Sequence, residues 1–253
     1  MKVLVTFALE NEFAPWCKLR NFARVAAGNR DQTFTARVGS ADVRVVLTGA
    51  GRFAAERVIP QALEVRPDVC IASGLSGGLK QDYRPGDILV ARAAADARGA
   101  RWVLGDPELV THADASGARV VEKFLVSERV VSRVEEKEAL ASFGDAVDME
   151  SIYVLSAAAH RGIRAVAIRA ISDAADSNLP LDFDRVFDKR GAVSMTKVIG
   201  QVLRRPHRIA GLMRLAHESQ RAAAALADFL DAYVQSIAED PLRKVAKVEA
   251  LAI

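Results

Sequence analysis

Short apolar runs recur along the chain, separated by segments whose hydrophobic positions return every three or four residues. Lys2 to Ala8 (KVLVTFA) is β-branched and apolar around Thr6, which predicts a buried first strand. Thr33 to Val38 and Val43 to Leu47 alternate on either side of Gly39-Ser40, the pattern of a hairpin or tight turn, and Thr48 to Gly51 then opens a helix near Arg52. Val69 to Ala72 reads as another strand, ending in a loop over Ser73 to Gly78. Asp87 to Ala91, Val120 to Val126 and Ala165 to Ile171 predict further strands, while Glu135 to Phe143 and Met149 to His160 carry helical spacing. Ala97 to Gly117 is polar around Gly105-Asp106-Pro107 and is expected to be an excursion or loop. A last helical stretch runs from Val198 to Leu230.

Strands alternating with helices, with glycines at strand ends, predict a single three-layer α/β/α domain around a central, largely parallel, mixed sheet. A chain of 253 residues with 51% hydrophobic positions can bury one core of that size. Ligand sites in such sheets lie beyond the carboxyl ends of the strands. No uncharged apolar run approaches the roughly 20 residues of a membrane span, and Met1 to Glu12 lacks the pattern of a secretory signal, so a soluble, cytoplasmic protein is expected. Cys17 and Cys70 lie in apolar surroundings without metal or disulfide spacing and read as buried thiols. His112, His160, His207 and His217 show neither metal-ligand spacing nor a serine or cysteine partner, so no metal and no covalent triad are expected.

The net charge of +3 is concentrated locally. Between Lys197 and Arg221 the chain sets Lys197, Arg204, Arg205, Arg208, Arg214 and Arg221 against a single acid, Glu218, within a divergent basic helical C-terminal region of about residues 190 to 253. Ile209, Leu212, Met213 and Ala216 follow helical spacing among these arginines. Such a stripe packs on a core or lies on an anionic membrane surface. No aromatics interleave the arginines, which argues against nucleic acid.

Acids stand where strands end or helices begin: Glu10 and Glu12, Asp148 and Glu150, and Asp173. Cleavage of a glycosidic bond needs one carboxylate to activate water, another to grip sugar hydroxyls and an acid for the leaving group. The same residues also cap helices, so the pattern alone leaves both readings open. Gly49-Ala50-Gly51 and Gly74 to Gly78 could admit a ligand to the backbone, the second with Ser73 and Ser76 as donors, but neither matches a phosphate or dinucleotide fingerprint.

In order and spacing, KVLVTFALENE (2–12), PDVCIASGLSGGLKQDYRPGDILV (67–90), AVDME (146–150) and IRAISDAAD (168–176) resemble the methylthioadenosine/S-adenosylhomocysteine nucleosidases. The resemblance covers roughly residues 1 to 176 and implies no cofactor, a nucleoside substrate and a homodimer. It implies that Glu12 polarises the attacking water beside Arg169, that Glu150 binds ribose hydroxyls with Met149 against the sugar, and that Asp173 delivers a proton to purine N7. Val131 and Ser132 align with residues that read and sandwich the purine, and Ser73, Gly74 and Leu75 with a loop along the substrate. Two positions depart from the pattern. Val131 replaces an aromatic contact to the base, and Leu75 replaces a small polar residue. Two carboxylates in the loop Ala8 to Glu12 would repel phosphate, which favours water as nucleophile over phosphorolysis. The tail from Asn178 resembles hopanoid-associated members of the same superfamily and implies adenosylhopane, a lipid-linked nucleoside, as substrate. The alternatives are methylthioadenosine, S-adenosylhomocysteine or futalosine, and, from another class, a silent nucleoside-binding protein.

Overall fold

The computed structural model describes residues 1–25, 32–97, 100–181, 186 and 208–239. In chain order it contains β1 (Lys2–Phe7), α1 (Glu10–Arg20), β2 (Ala23–Arg24), β3 (Gln32–Val38), β4 (Ala41–Leu47), α2 (Arg52–Ala62), β5 (Val69–Gly78) and β6 (Ile88–Asp96). There follow β7 (Trp102–Leu104), α3 (Pro107–Ala115), β8 (Arg119–Val126), α4 (Val134–Leu140), β9 (Ala146–Asp148), α5 (Ser151–Ala159), β10 (Arg164–Asp173) and α6 (Ile209–Glu239).

The strands form one mixed sheet in the order β10-β6-β8-β9-β5-β1-β4-β3-β2, with β7 on β6. Because β10 pairs with β5 as well as with β6, five of these strands close into a ring and β1 to β4 extend from it through β5. Parallel pairing joins β1 to β4 and β5, and β10 to β5, while β3 and β4 form the expected hairpin. Helices cover both faces. On one, α1, α3 and α6 bury residues such as Phe13, Trp16, Leu109, Leu226, Leu230 and Tyr233, and on the other α2 and α5 bury Val58, Ile59, Ile152 and Leu155. The expected three layers are therefore present.

Two readings of the sequence need correction. Ser73 to Gly78 is not a loop but the second half of β5, because Ile168 to Asp173 of β10 pairs with Ser73 to Gly77, and Ala146 and Val147 of β9 with Gly78 and Gly77, which satisfies its backbone. The polar stretch 97–117 holds β7 and α3. There Asp106 caps the helix by accepting from the N–H groups of Glu108 and Leu109, and Pro107 occupies the first helical position, so what looked like turn chemistry was a helix start. Of the two thiols, Cys17 is only half-buried, whereas burial pushes Cys70 up to about 12. Lys197, Arg204, Arg205 and His207 lie outside the described residues.

Helix α1 carries the first candidate acid, and its placement is strongly fixed. The Phe13 ring meets Phe7 at a tilt and Phe22 edge-to-face, with ring centroids 5.6 and 5.1 Å apart, and Trp16 lies wholly buried. Each such aromatic contributes about 1.5–3 kcal/mol by burial. On the outer side, Arg20 makes two hydrogen bonds of 2.5 Å to Asp231 of α6, and Trp16 Nε1 donates to the same carboxylate at 3.2 Å.

Candidate active site

Glu12 lies one turn into α1, where a glutamate can reach back to the N–H groups that precede the helix. Its Oε2 accepts from Ala8 at 3.0 Å and Leu9 at 2.9 Å, while its Oε1 accepts from Leu75 of β5 at 2.9 Å. Capping and site-building are thus the same contact. Glu12 is buried and Glu10 exposed, which separates two acids that spacing alone did not. Burial raises the Glu12 carboxyl above the ordinary range, opposed by the Leu75 N–H and by Arg169.

Arg169 is fully enclosed in β10, paired in register with Gly74. A Cβ at Gly74 would sit 2.5 Å from Arg169 Nη1 and 3.0 Å from Glu12 Oε1, so only glycine lets acid and guanidinium approach there. The guanidinium is held by Asp148 Oδ2 at 2.8 Å, by the Ser73 carbonyl at 3.0 Å and by Ser151 Oγ at 3.0 Å, with Glu150 Oε2 at 3.7 Å. A buried cation without such partners would be strongly destabilising.

Glu150 precedes α5. Asp148 fixes this start, its Oδ1 accepting from the N–H groups of Glu150 and Ser151 at 3.1 Å and its Oδ2 bonding the Ser151 hydroxyl. Glu150 then turns to Gly51, whose N–H donates at 2.7 Å, and the methyl of Met149 approaches the same glycine. Burial, with Asp148 nearby, raises Glu150 to about 7 against the pull of Arg169.

Asp173 ends β10 after a register shift between Ile171 and Asp173. Its Oδ1 accepts from Ser172 Oγ at 2.6 Å, and its Oδ2 from Lys137 Nζ at 2.5 Å. Opposite it stands Gly77, where a Cβ would come within 3.2 Å of Oδ2. Gly74 and Gly77 mark the two acid ends of the site along β5, roughly 10 Å apart for three strand residues.

The other expected residues are distributed as follows. Ser73 is buried with its carbonyl on Arg169, and the hydroxyls of Ser73 and Ser76 have no partner among the described residues. Leu75 contributes its N–H to Glu12. Val131 packs in an apolar cluster with Leu79, Leu125 and Val147. Ser132 is half-buried, its carbonyl receiving the Leu179 N–H at 2.8 Å, so the segment entering α4 is tied to the one leaving β10. Among the described residues no cluster of His, Cys, Asp and Glu could hold a metal ion. Ser151, Ser172 and Lys137 were not singled out by sequence reasoning. Asp148-x-x-Ser151 is a readable helix-start pattern, whereas Lys137 sits inconspicuously in a charged EEKE run.

A family model described as Phosphorylase superfamily matches residues 2–204. The chain belongs to this superfamily. Among solved structures, it is similar to a futalosine hydrolase mutant of Helicobacter pylori strain 26695, at 17% identity and a TM-score of 0.72 over 92% of this chain and 98% of that one. It is also similar to the 5′-methylthioadenosine/S-adenosylhomocysteine nucleosidase of Neisseria meningitidis in complex with methylthio-immucillin-A, at 20% identity and a TM-score of 0.71 over 93% and 99% of the two chains. A corresponding nucleosidase of Streptococcus pneumoniae with a transition-state inhibitor gives 16% identity and a TM-score of 0.72 over 94% and 100%. At these identities the likeness shows a shared fold along nearly the whole length of each chain.

Proposed function

We propose that the protein hydrolyses the N-glycosidic bond of a 5′-substituted adenosine and releases adenine. The observation that carries this reading is the charge around Arg169. Glu12, Asp148 and Glu150 surround one guanidinium, and Asp148 already claims it at 2.8 Å. A phosphate dianion needs an excess of donors and positive charge, and this cluster supplies the reverse. Water suits it. Glu12 takes a proton from water as the water oxygen bonds to C1′, Glu150 accepts from the ribose hydroxyls with Met149 along the sugar, and Asp173 protonates N7 as the C1′–N9 bond breaks. Carboxylates near the sugar also stabilise its developing positive charge. The nucleosidase and futalosine hydrolase names of the similar structures support the same reaction class.

For the substrate we favour adenosylhopane. In α6, the turns from Ile209 to Arg221 bury no residue, with Ile209 42% and Met213 69% exposed and Arg208 and Arg214 beside them. An apolar edge flanked by cations suits peripheral contact with an anionic membrane, where a lipid-linked nucleoside would be met. No helix among the described residues is long and apolar enough to cross a membrane. Chromatography of the free base tests the reading in phosphate-free buffer, with adenosylhopane offered in anionic and in neutral vesicles. Adenine release from adenosylhopane, faster from anionic vesicles, is expected. Release from methylthioadenosine or S-adenosylhomocysteine alone, or cleavage of futalosine alone, would replace the substrate. Turnover only after phosphate addition would replace water as the nucleophile, and turnover of none would favour a nucleoside-binding protein.

We also infer a homodimer. Phe53 is 86% exposed on α2, and Trp102 is 63% exposed on β7, which packs against α5, so the α2/α5 side of the sheet offers large apolar side chains that a second copy could cover. Sedimentation is expected to give twice the chain mass, and Phe53→Asp to shift it toward one chain. A wild-type protein of single-chain mass at micromolar concentration would refute the dimer.

A further inference from the structure

Lys137 is the only lysine buried among the described residues, and no part of it is exposed. It belongs to α4, a short helix whose neighbouring charges turn outward: Glu135 and Glu138 are exposed and Glu136 is bonded to Arg129 at 2.6 Å. Withdrawing an ammonium from water is unfavourable unless its protons are all received. Here all three are, by Asp173 Oδ2 at 2.5 Å, the Ala174 carbonyl at 2.7 Å and the Ser177 carbonyl at 3.1 Å. Two carbonyls would suit any cation. The carboxylate is different, because it is the group assigned to protonate the leaving base.

Resting on the proposed glycosidic cleavage, we infer that Lys137 is the proton source behind Asp173. The Lys137 ammonium donates directly to the Asp173 carboxylate at 2.5 Å. A carboxylate that has accepted a hydrogen bond from an ammonium has no proton of its own for N7. The step balances when the proton passes from Lys137 Nζ to Asp173 and from Asp173 to N7, as the C1′–N9 electron pair leaves with the base. The water proton goes to Glu12, and Lys137 then recovers a proton from solvent. Lysine can serve because its amine can lose a proton, which a guanidinium in a protein does not. Ser172 donates to the other Asp173 oxygen and keeps the carboxyl oriented. Two acids on the neighbouring elements are held by other partners. β5 and β9 bring Gly77 and Val147 toward Asp173, Asp148 of β9 is bonded to Arg169, and Glu136 to Arg129. Lys137 acts through Asp173 and is a positioning and proton-supplying residue.

The test is the pH profile of kcat/KM for adenine release by wild type, Lys137→Met and Lys137→Arg, each checked for folding by thermal melting. Lys137→Met leaves Asp173 to draw its proton from water, a supply that shrinks as pH rises. Its loss is expected to be within about tenfold near pH ~5.5 and at least about 100-fold near pH ~8.5. Lys137→Arg keeps the charge without a proton to give, so kcat should fall about 100-fold or more across the range, with KM within about threefold. Equal, pH-independent losses in both variants, or an arginine variant with wild-type kcat, would overturn the assignment. If one variant does not fold, the other decides. If neither folds, Lys137→Gln, an uncharged donor with no proton to give, is judged by the same pH-dependent loss. A wild type that turns over none of the nucleosides at any pH refutes the glycosidic reading and this inference with it, whereas an active wild type with unaffected variants refutes this inference alone.

Discussion

Asp173→Asn is expected to lower kcat for adenine release by about 10²- to 10⁴-fold, the range of a lost general acid, with KM within about threefold. The amide keeps the shape of the carboxyl. Its oxygen can accept from Lys137 at the position of Oδ2, and its NH₂ can still hydrogen-bond to N7, so the substrate is held while the proton transfer is lost. A second consequence separates this acid from an ordinary surface carboxylate. The substitution leaves the Lys137 ammonium buried without its counter-charge, a situation that costs on the order of 3–5 kcal/mol, and thermal melting should record a clear fall in stability. Lys137→Met introduced into the same variant should recover much of that stability, because the pair is then removed together, while activity stays low. An active Asp173→Asn protein would show that the leaving base is protonated elsewhere.

The parts of this arrangement that were legible in the sequence are those governed by local pattern. The apolar runs gave β1, the β3–β4 hairpin, the start of β5, and β8 and β10, because alternation and β-branched density depend on a few neighbouring residues. The acids at strand ends were legible too, since α/β sheets gather ligands there. Misread segments were those decided by tertiary pairing. Ser73 to Gly78 looks like a flexible turn, yet β10 pairs with it and converts it to strand, and its glycines make room for Arg169, Glu12 and Asp173. Lys137 was invisible for a similar reason. A lysine in an EEKE run reads as solvated, and only the approach of the segment after β10 buries it. The ring closure through β10 had no sequence signal, since it depends on one strand pairing with two partners far apart in the chain.

Glu12→Gln is expected to reduce kcat by about 10²- to 10⁴-fold and to change the pH profile in a direction the geometry fixes. Three backbone N–H groups, of Ala8, Leu9 and Leu75, point at this carboxylate. A glutamine can turn its oxygen to the first two or to the third, and in either case its NH₂ then meets an N–H, so part of the loss is a misplaced α1 start, which should appear as a lower melting temperature. The larger part is the missing base. A base must be ionised to act, and burial raises Glu12 above the ordinary carboxylate value. Wild-type kcat/KM should therefore fall on acidification at a pH above the usual carboxylate range, as Glu12 takes up a proton. In the glutamine variant that acid limb should vanish from the residual activity, unless Glu150, also raised by burial, contributes a second limb near 7 through its grip on the sugar. Glu150→Gln distinguishes the two: a limb that survives it belongs to Glu12, and one that disappears belongs to Glu150. If Glu12→Gln instead kept both the rate and the acid limb, water activation would have to be assigned away from α1.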